Sequence, residues 1–117
     1  MRVYIAGPMT GIPDYNRPAF HAAAERITAA GYHAVNPAEA EVYATDPVYV
    51  DYLRDALRWM LSCDGIALLP RWEMSRGARL EVQVGATLGM VVQTVSDWEF
   101  SPPETMKLVA RELREAS

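Results

Sequence analysis

The chain has 117 residues, half of them hydrophobic, with a formal net charge of −4, enough apolar material for one domain with a single core. With no run of Lys or Arg, the composition argues against a polyanionic partner such as duplex DNA, while a single free nucleotide stays admissible. Cys63 is the only cysteine, which excludes an internal disulfide and fits a reducing compartment. Without a signal-peptide pattern or an apolar run approaching about eighteen residues, the expectation is a soluble, cytoplasmic protein with no membrane contact.

Arg2 to Gly7 is a short run, apolar on both alternating faces, that ends in Gly-Pro, the pattern of a parallel strand covered on both sides. A loop from Pro8 to Arg17 follows. Pro18 suits the first turn of a helix to about Ala30, with Phe20, Ala23, Ala24 and Ile27 as its core stripe and Gly31 as its stop. Tyr32 to Asn36 reads as a second strand, closed by Pro37, and the polar stretch from Pro37 to Asp46 as a loop. Pro47 opens a second helix to about Ser62, whose expected buried face is Val50, Leu53, Leu57, Met60 and Leu61. Asp64 to Leu69 is a third strand, Ser75 to Gly89 a third helix and Met90 to Val95 a fourth strand. Ser101-Pro102-Pro103-Glu104 forms a capping box that opens a last helix through about Glu115.

Strands alternating with helices mean parallel pairing through crossovers. The expected architecture is a small three-layer, flavodoxin-like α/β domain spanning residues 1–117, with a parallel sheet of four or five strands. No G-x-G-x-x-G follows the first strand, so no NAD or FAD is expected, and no His/Cys/Asp cluster has metal-ligand spacing. Ligands of such sheets bind beyond the carboxyl ends of the strands. The loops Gly7 to Arg17, Pro37 to Asp46 and Pro70 to Gly77 meet there.

Within the third helix, Arg76, Arg79 and Gln83 share one side at about 100° per residue. Glu81 falls on the other, amid Gly77, Ala78, Val84, Gly85 and Leu88. A carboxylate among small and apolar neighbours costs stability unless something pairs with it or uses it. Either it snorkels to solvent from a short helix, or it faces a site, with Gly77 and Gly85 leaving room above it. Ser75 is a natural N-cap, and a helix start with exposed amides, Gly77 and Arg76 suits one phosphate. A plain cap explains the same residues. Trp72 either stacks on a base or closes the loop over the core.

Tyr4-Ile5-Ala6-Gly7-Pro8, Cys63-Asp64-Gly65-Ile66-Ala67-Leu68-Leu69-Pro70 and Ser75-x-Gly77-x-x-x-Glu81 together resemble the nucleoside 2-deoxyribosyltransferase superfamily, nearest its small phage-associated branch of unassigned function. The resemblance covers about the first 95 residues in order and spacing. It implies that Glu81 is a nucleophile toward the anomeric carbon of a 2′-deoxynucleoside, forming a deoxyribosyl ester that water or a second base resolves. It implies that Tyr4 orients that carboxylate and that Gly7 and Pro8 begin a substrate-facing loop. In the superfamily, Asp two residues before the motif glycine accompanies free nucleosides, and Ser accompanies 5′-monophosphates. Ser75, with Arg76 beside it, therefore points to a deoxynucleoside 5′-monophosphate N-glycosidase. The superfamily also commonly completes its sites across a dimer interface, so a homo-oligomer is expected.

One departure stands out. The superfamily's second acid, directed at the base, falls eight residues before the position of Asp64, where this chain has Ala56. Asp55, next to it, points away from the expected buried stripe and can serve only if the helix is distorted or rotated. Otherwise it is a solvated surface charge. Two further readings therefore stay open beside hydrolysis: base exchange by a deoxyribosyltransferase, and a nucleotide-binding module without catalysis. Asp14 and Asn16 either reach the base or sugar or serve turn chemistry. His21, His33 and Asp64 read as structural. Trp98 and Phe100 form an aromatic patch that covers the sheet edge or contacts a second subunit.

Overall fold

The computed structural model describes residues 1–39, 49–101 and 103. Four strands, β1 (Arg2–Ala6), β2 (His33–Val35), β3 (Gly65–Leu68) and β4 (Val91–Thr94), form one parallel sheet in the order β2-β1-β3-β4. Four helices, α1 (Arg17–Ala29), α2 (Tyr49–Leu61), α3 (Arg76–Thr87) and α4 (Val95–Phe100), cover it. This is the flavodoxin-like three-layer fold expected from the alternation of elements. The strand order turns back between β1 and β3, so the topological switch point lies at the carboxyl ends of those two strands.

The two layers follow from the period-two pleat of β1. Val3 and Ile5 point into a core with Phe20, Ala23 and Ile27 of α1 and with Val95 and Trp98 of α4. Tyr4 and Ala6 point the other way, into a core with Ala56 and Met60 of α2, Cys63 and Ile66. Cys63 is packed in this core as a small hydrophobe, and burial raises its thiol pKa. Gly7 ends β1 where no side chain fits: a Cβ there would lie 2.7 Å from the Cβ of Leu69. Asp64 accepts the backbone N–H of Arg2 at 2.8 Å, tying the start of β3 to β1.

Four sequence expectations change. The inward face of α2 is Ala56 and Met60 with Tyr52 packed alongside, while Leu61 is 55% exposed. Met60 and Leu57 of the expected stripe do pack on this core, so the helix is turned only partway from that stripe, toward Ala56 and Tyr52. Val50, also placed on that stripe, has no described side chain. The fourth strand stops at Thr94, whose Oγ1 accepts the Asp97 N–H at 3.1 Å and caps the short α4. No helix was expected between the fourth strand and Ser101. Trp98 on it is a core residue, donating its indole N–H to the Ile66 carbonyl at 2.8 Å and meeting Tyr32 edge-on, whereas Phe100 is exposed. Pro37–Glu39 forms a 3₁₀ turn, with Asn36 buried and accepting the Ala38 N–H. Ser101 is the C-cap of α4; of the expected last helix Pro102 and residues 104–115, together with Pro47 and residues 40–46, lie outside the described residues.

Candidate functional site

Tyr4 stands in the middle of β1, the strand between β2 and β3, and Glu81 faces it from α3. Glu81 is 6% exposed, so the carboxylate does not snorkel to solvent. Its Oε2 accepts a short hydrogen bond from the Tyr4 hydroxyl, itself buried. Burial pushes the Glu81 carboxyl up to about 7, and the Tyr4 hydrogen bond opposes that rise. Tyr4 is raised well above the ordinary phenol range, first by burial and then by the neighbouring Glu81 charge. The pair is therefore one buried acid poised to ionise near neutrality and one hydroxyl that stays protonated to hold it.

A crevice of about 480 Å³ opens at the carboxyl end of β1, between Pro8, Met9 and Thr10 on one wall and Met74, Ser75, Arg76 and Gly77 on the other. Gly77 lies one turn before Glu81 on the same helix face, about 6 Å along the axis. The Ser75 Oγ caps α3 by accepting the Ala78 N–H at 3.1 Å. Helix geometry leaves the Arg76 and Gly77 amides without intrahelical acceptors, and both residues line the crevice. The arrangement can take an anion at the helix start, with the buried carboxyl one turn below. Gly85, expected to leave space beside Glu81, does not: the Ile66 side chain fills that gap, with Cδ1 2.5 Å from where a Cβ would stand. Leu88, placed on the same inner face, is exposed.

The structure separates the remaining candidates. Asp14 pairs with Arg17 at 3.1 Å, and the Asn16 amide donates to the Pro8 carbonyl at 3.0 Å, pinning the loop beside the crevice. Asp14, Tyr15 and Asn16 all have left-handed backbone angles, φ 54°, 51° and 61°, a run that short polar side chains tolerate best. Trp72 lines a different crevice, of about 620 Å³, with Ala19, Ala22, Ala23 and Arg26 of α1. It stands on the α1 side of the sheet and is not among the residues lining the Ser75 crevice. Ala56 is fully buried, and Asp55, with its side chain 42% exposed, binds Arg58 at 3.3 Å. The turn of α2 brings Asp55 from the far side of the helix to its flank, where Arg58 holds it.

Two residues near the site escaped the sequence reading. Tyr52 and Met9 meet there, the Tyr52 hydroxyl donating to the Met9 sulfur at 3.2 Å. The i, i+4 series Tyr52, Ala56, Met60 was the available signal, outweighed by the more hydrophobic leucines one residue on. Among the described residues, no three His, Cys, Asp or Glu side chains are grouped to hold a metal, and no helix is long and apolar enough to cross a membrane. The chain matches no curated protein. Residues 1–94 match the family described as Domain of unknown function (DUF4406), and the chain belongs to that family.

Proposed function

We propose that the protein cleaves the N-glycosidic bond of 2′-deoxynucleoside 5′-monophosphates through Glu81. The observation that carries this reading is the buried Glu81–Tyr4 pair at the switch point, one turn below a crevice walled by the start of α3. The resemblance of the Tyr4–Pro8, Cys63–Pro70 and Ser75–Glu81 segments to nucleoside 2-deoxyribosyltransferases supplies the reaction class. In the first step a Glu81 oxygen bonds to C1′ while the C1′–N bond breaks and its electron pair leaves with the base. In the second, water adds to C1′, the ester C1′–O bond breaks, the carboxylate is regenerated and one proton is released. The phosphate rests on the first-turn amides of α3 beside Ser75 and Arg76. A missing 2′-hydroxyl eases charge development on the sugar, which favours deoxy substrates.

Incubation of the purified protein with each deoxynucleoside monophosphate, followed by detection of free base, tests the reading. Release that disappears in Glu81→Gln is the expected result. No release from any of them at high enzyme concentration sinks it, and a requirement for an added free base would make the protein a transferase. The buried methyl of Ala56, where the superfamily has an acid, favours a second reading, a nucleotide-binding module. That reading expects thermal stabilisation by nucleotides without turnover, and little change in binding on Glu81→Gln.

A further inference from the structure

We propose that Met74 is a specificity-determining residue of the crevice, a flexible thioether that folds over the flat face of the ligand's base while the start of α3 holds its phosphate. The inference rests on the reading above that a deoxynucleoside monophosphate is the ligand. It adds a residue that neither the motifs nor the resemblance singled out.

The lining of the crevice divides by chemistry. Ser75, Arg76 and Gly77 form a polar end at the start of α3, while Pro8, Met9 and Met74 are apolar. Among the described residues, no carboxylate, carboxamide or imidazole lines it. A sugar phosphate alone would leave the apolar part unused. A planar ring attached to that sugar meets carbon and sulfur there, and is gripped by contact area more than by hydrogen bonds.

Two thioethers stand on opposite walls. Met9 is 7% exposed and is fixed by the core it packs into. Met74 is 75% exposed, the most exposed large hydrophobic side chain among the described residues. A single apolar side chain on an open surface requires no explanation, but one on a crevice wall has a surface to close against. Its backbone is held on both sides. The Met74 N–H donates to the Arg71 carbonyl at 3.1 Å, and the Ser75 N–H donates to the Trp72 carbonyl at 3.0 Å. The Ser75 hydroxyl caps α3 immediately after. The side chain therefore moves from a fixed base. An unbranched thioether adapts to an irregular ring edge, and its sulfur makes favourable contacts with aromatic rings. Met74 orders onto the base as the nucleotide enters, and exposed apolar surface on both partners leaves water together.

The test measures Kd by calorimetry in a Glu81→Gln background, which keeps the nucleotide intact. The two ligands are 2′-deoxyadenosine 5′-monophosphate and 2-deoxyribose 5-phosphate, which has the same anion and no base. Met74→Ala should weaken nucleotide binding about tenfold and sugar phosphate binding by less than about twofold. Met74→Leu keeps the apolar volume and should stay within about threefold of Met for the nucleotide. Met74→Gln, similar in length but polar, should lose about as much as Ala. The side chain is exposed, so the unliganded Tm should hold in all three. Equal losses on both ligands, no loss on the nucleotide, or Leu and Gln variants that bind alike overturn the proposal. Release of free base by the protein with its native Glu81 is followed alongside. Nucleotide binding without release overturns the glycosidase reading and leaves the Met74 variants to decide their own case. A nucleotide that does not bind at all overturns both.

Discussion

Replacing Glu81 by Gln makes the protein more stable in alkaline solution, and the gain vanishes in acid. Glu81 is 6% exposed, so solvent screens it little, and its carboxyl is raised from an ordinary 4.5 to about 7. Between those two values the folded chain holds a proton that the unfolded chain has released, so stability falls as pH rises across that window. Above about pH 7 the full penalty applies, on the order of 3 kcal/mol at about 1.4 kcal/mol per pH unit. Below about pH 4.5 both states are protonated and the penalty is gone. Gln presents a carbonyl to the Tyr4 hydroxyl and never ionises, so it escapes this cost. Urea melts of both proteins at pH 5 and pH 8.5 measure it. The difference between the two proteins changes by up to about 3 kcal/mol, or roughly 10 °C in Tm for a domain of this size. Other titrating groups cancel in the comparison. Parallel stability curves would refute the reasoning, since they would mean a carboxylate already solvated or paired. A wild type that gains on Gln as pH rises would mean a pKa held down rather than up.

Base release should increase with pH and level off above about 7, because only the ionised carboxylate attacks; a profile of kcat/KM that is flat from pH 5 to 9 contradicts this. Tyr4→Phe removes the one hydrogen bond that favours ionisation, so the rising limb should move to higher pH and activity at neutrality should drop about tenfold or more. Ser75→Asp keeps an N-cap for α3 but sets a charge against the phosphate. Differential scanning fluorimetry should show an unliganded Tm within a few degrees of wild type, with the stabilisation by deoxynucleoside monophosphates lost. Gly7→Ala drives a Cβ onto Leu69 at 2.7 Å and should cost about 1–3 kcal/mol in urea melts, with unchanged stability counting against the observed closeness of β1 to Leu69. A homo-oligomer is the expected state in solution, and light scattering that gives a monomer at high concentration would refute it.

The order of elements was legible because the strands are short and apolar, the first three are closed by Gly or Pro, and each long helix carries a 3.6-residue apolar stripe. Glu81 was legible for the same reason: helical spacing alone set it among Gly77, Ala78 and Gly85. What spacing could not supply was a partner 77 residues away, and Tyr4 entered through resemblance. The partial turn of α2 was hidden because Leu53, Leu57 and Leu61 outweigh Tyr52 and Ala56 in hydrophobicity. Helix α4 was hidden because Val91 to Val95 looks like one β-branched run, although Thr94 and Asp97 carry its cap. Trp72 and Ser75, three residues apart, line different crevices, with the 3₁₀ turn Trp72–Met74 between them.

The distance along the chain between hydroxyl and carboxyl also governs when the site comes into being during synthesis. Tyr4 leaves the ribosome long before Glu81, and the two meet only after β3 has docked beside β1 and α3 has folded back across it. A nascent or nicked chain lacking α3 has no buried carboxyl, and one lacking β1 has no hydroxyl to hold it. The pair is thereby tied to completion of the sheet, and the chemistry proposed for it requires β1, β3 and α3 together.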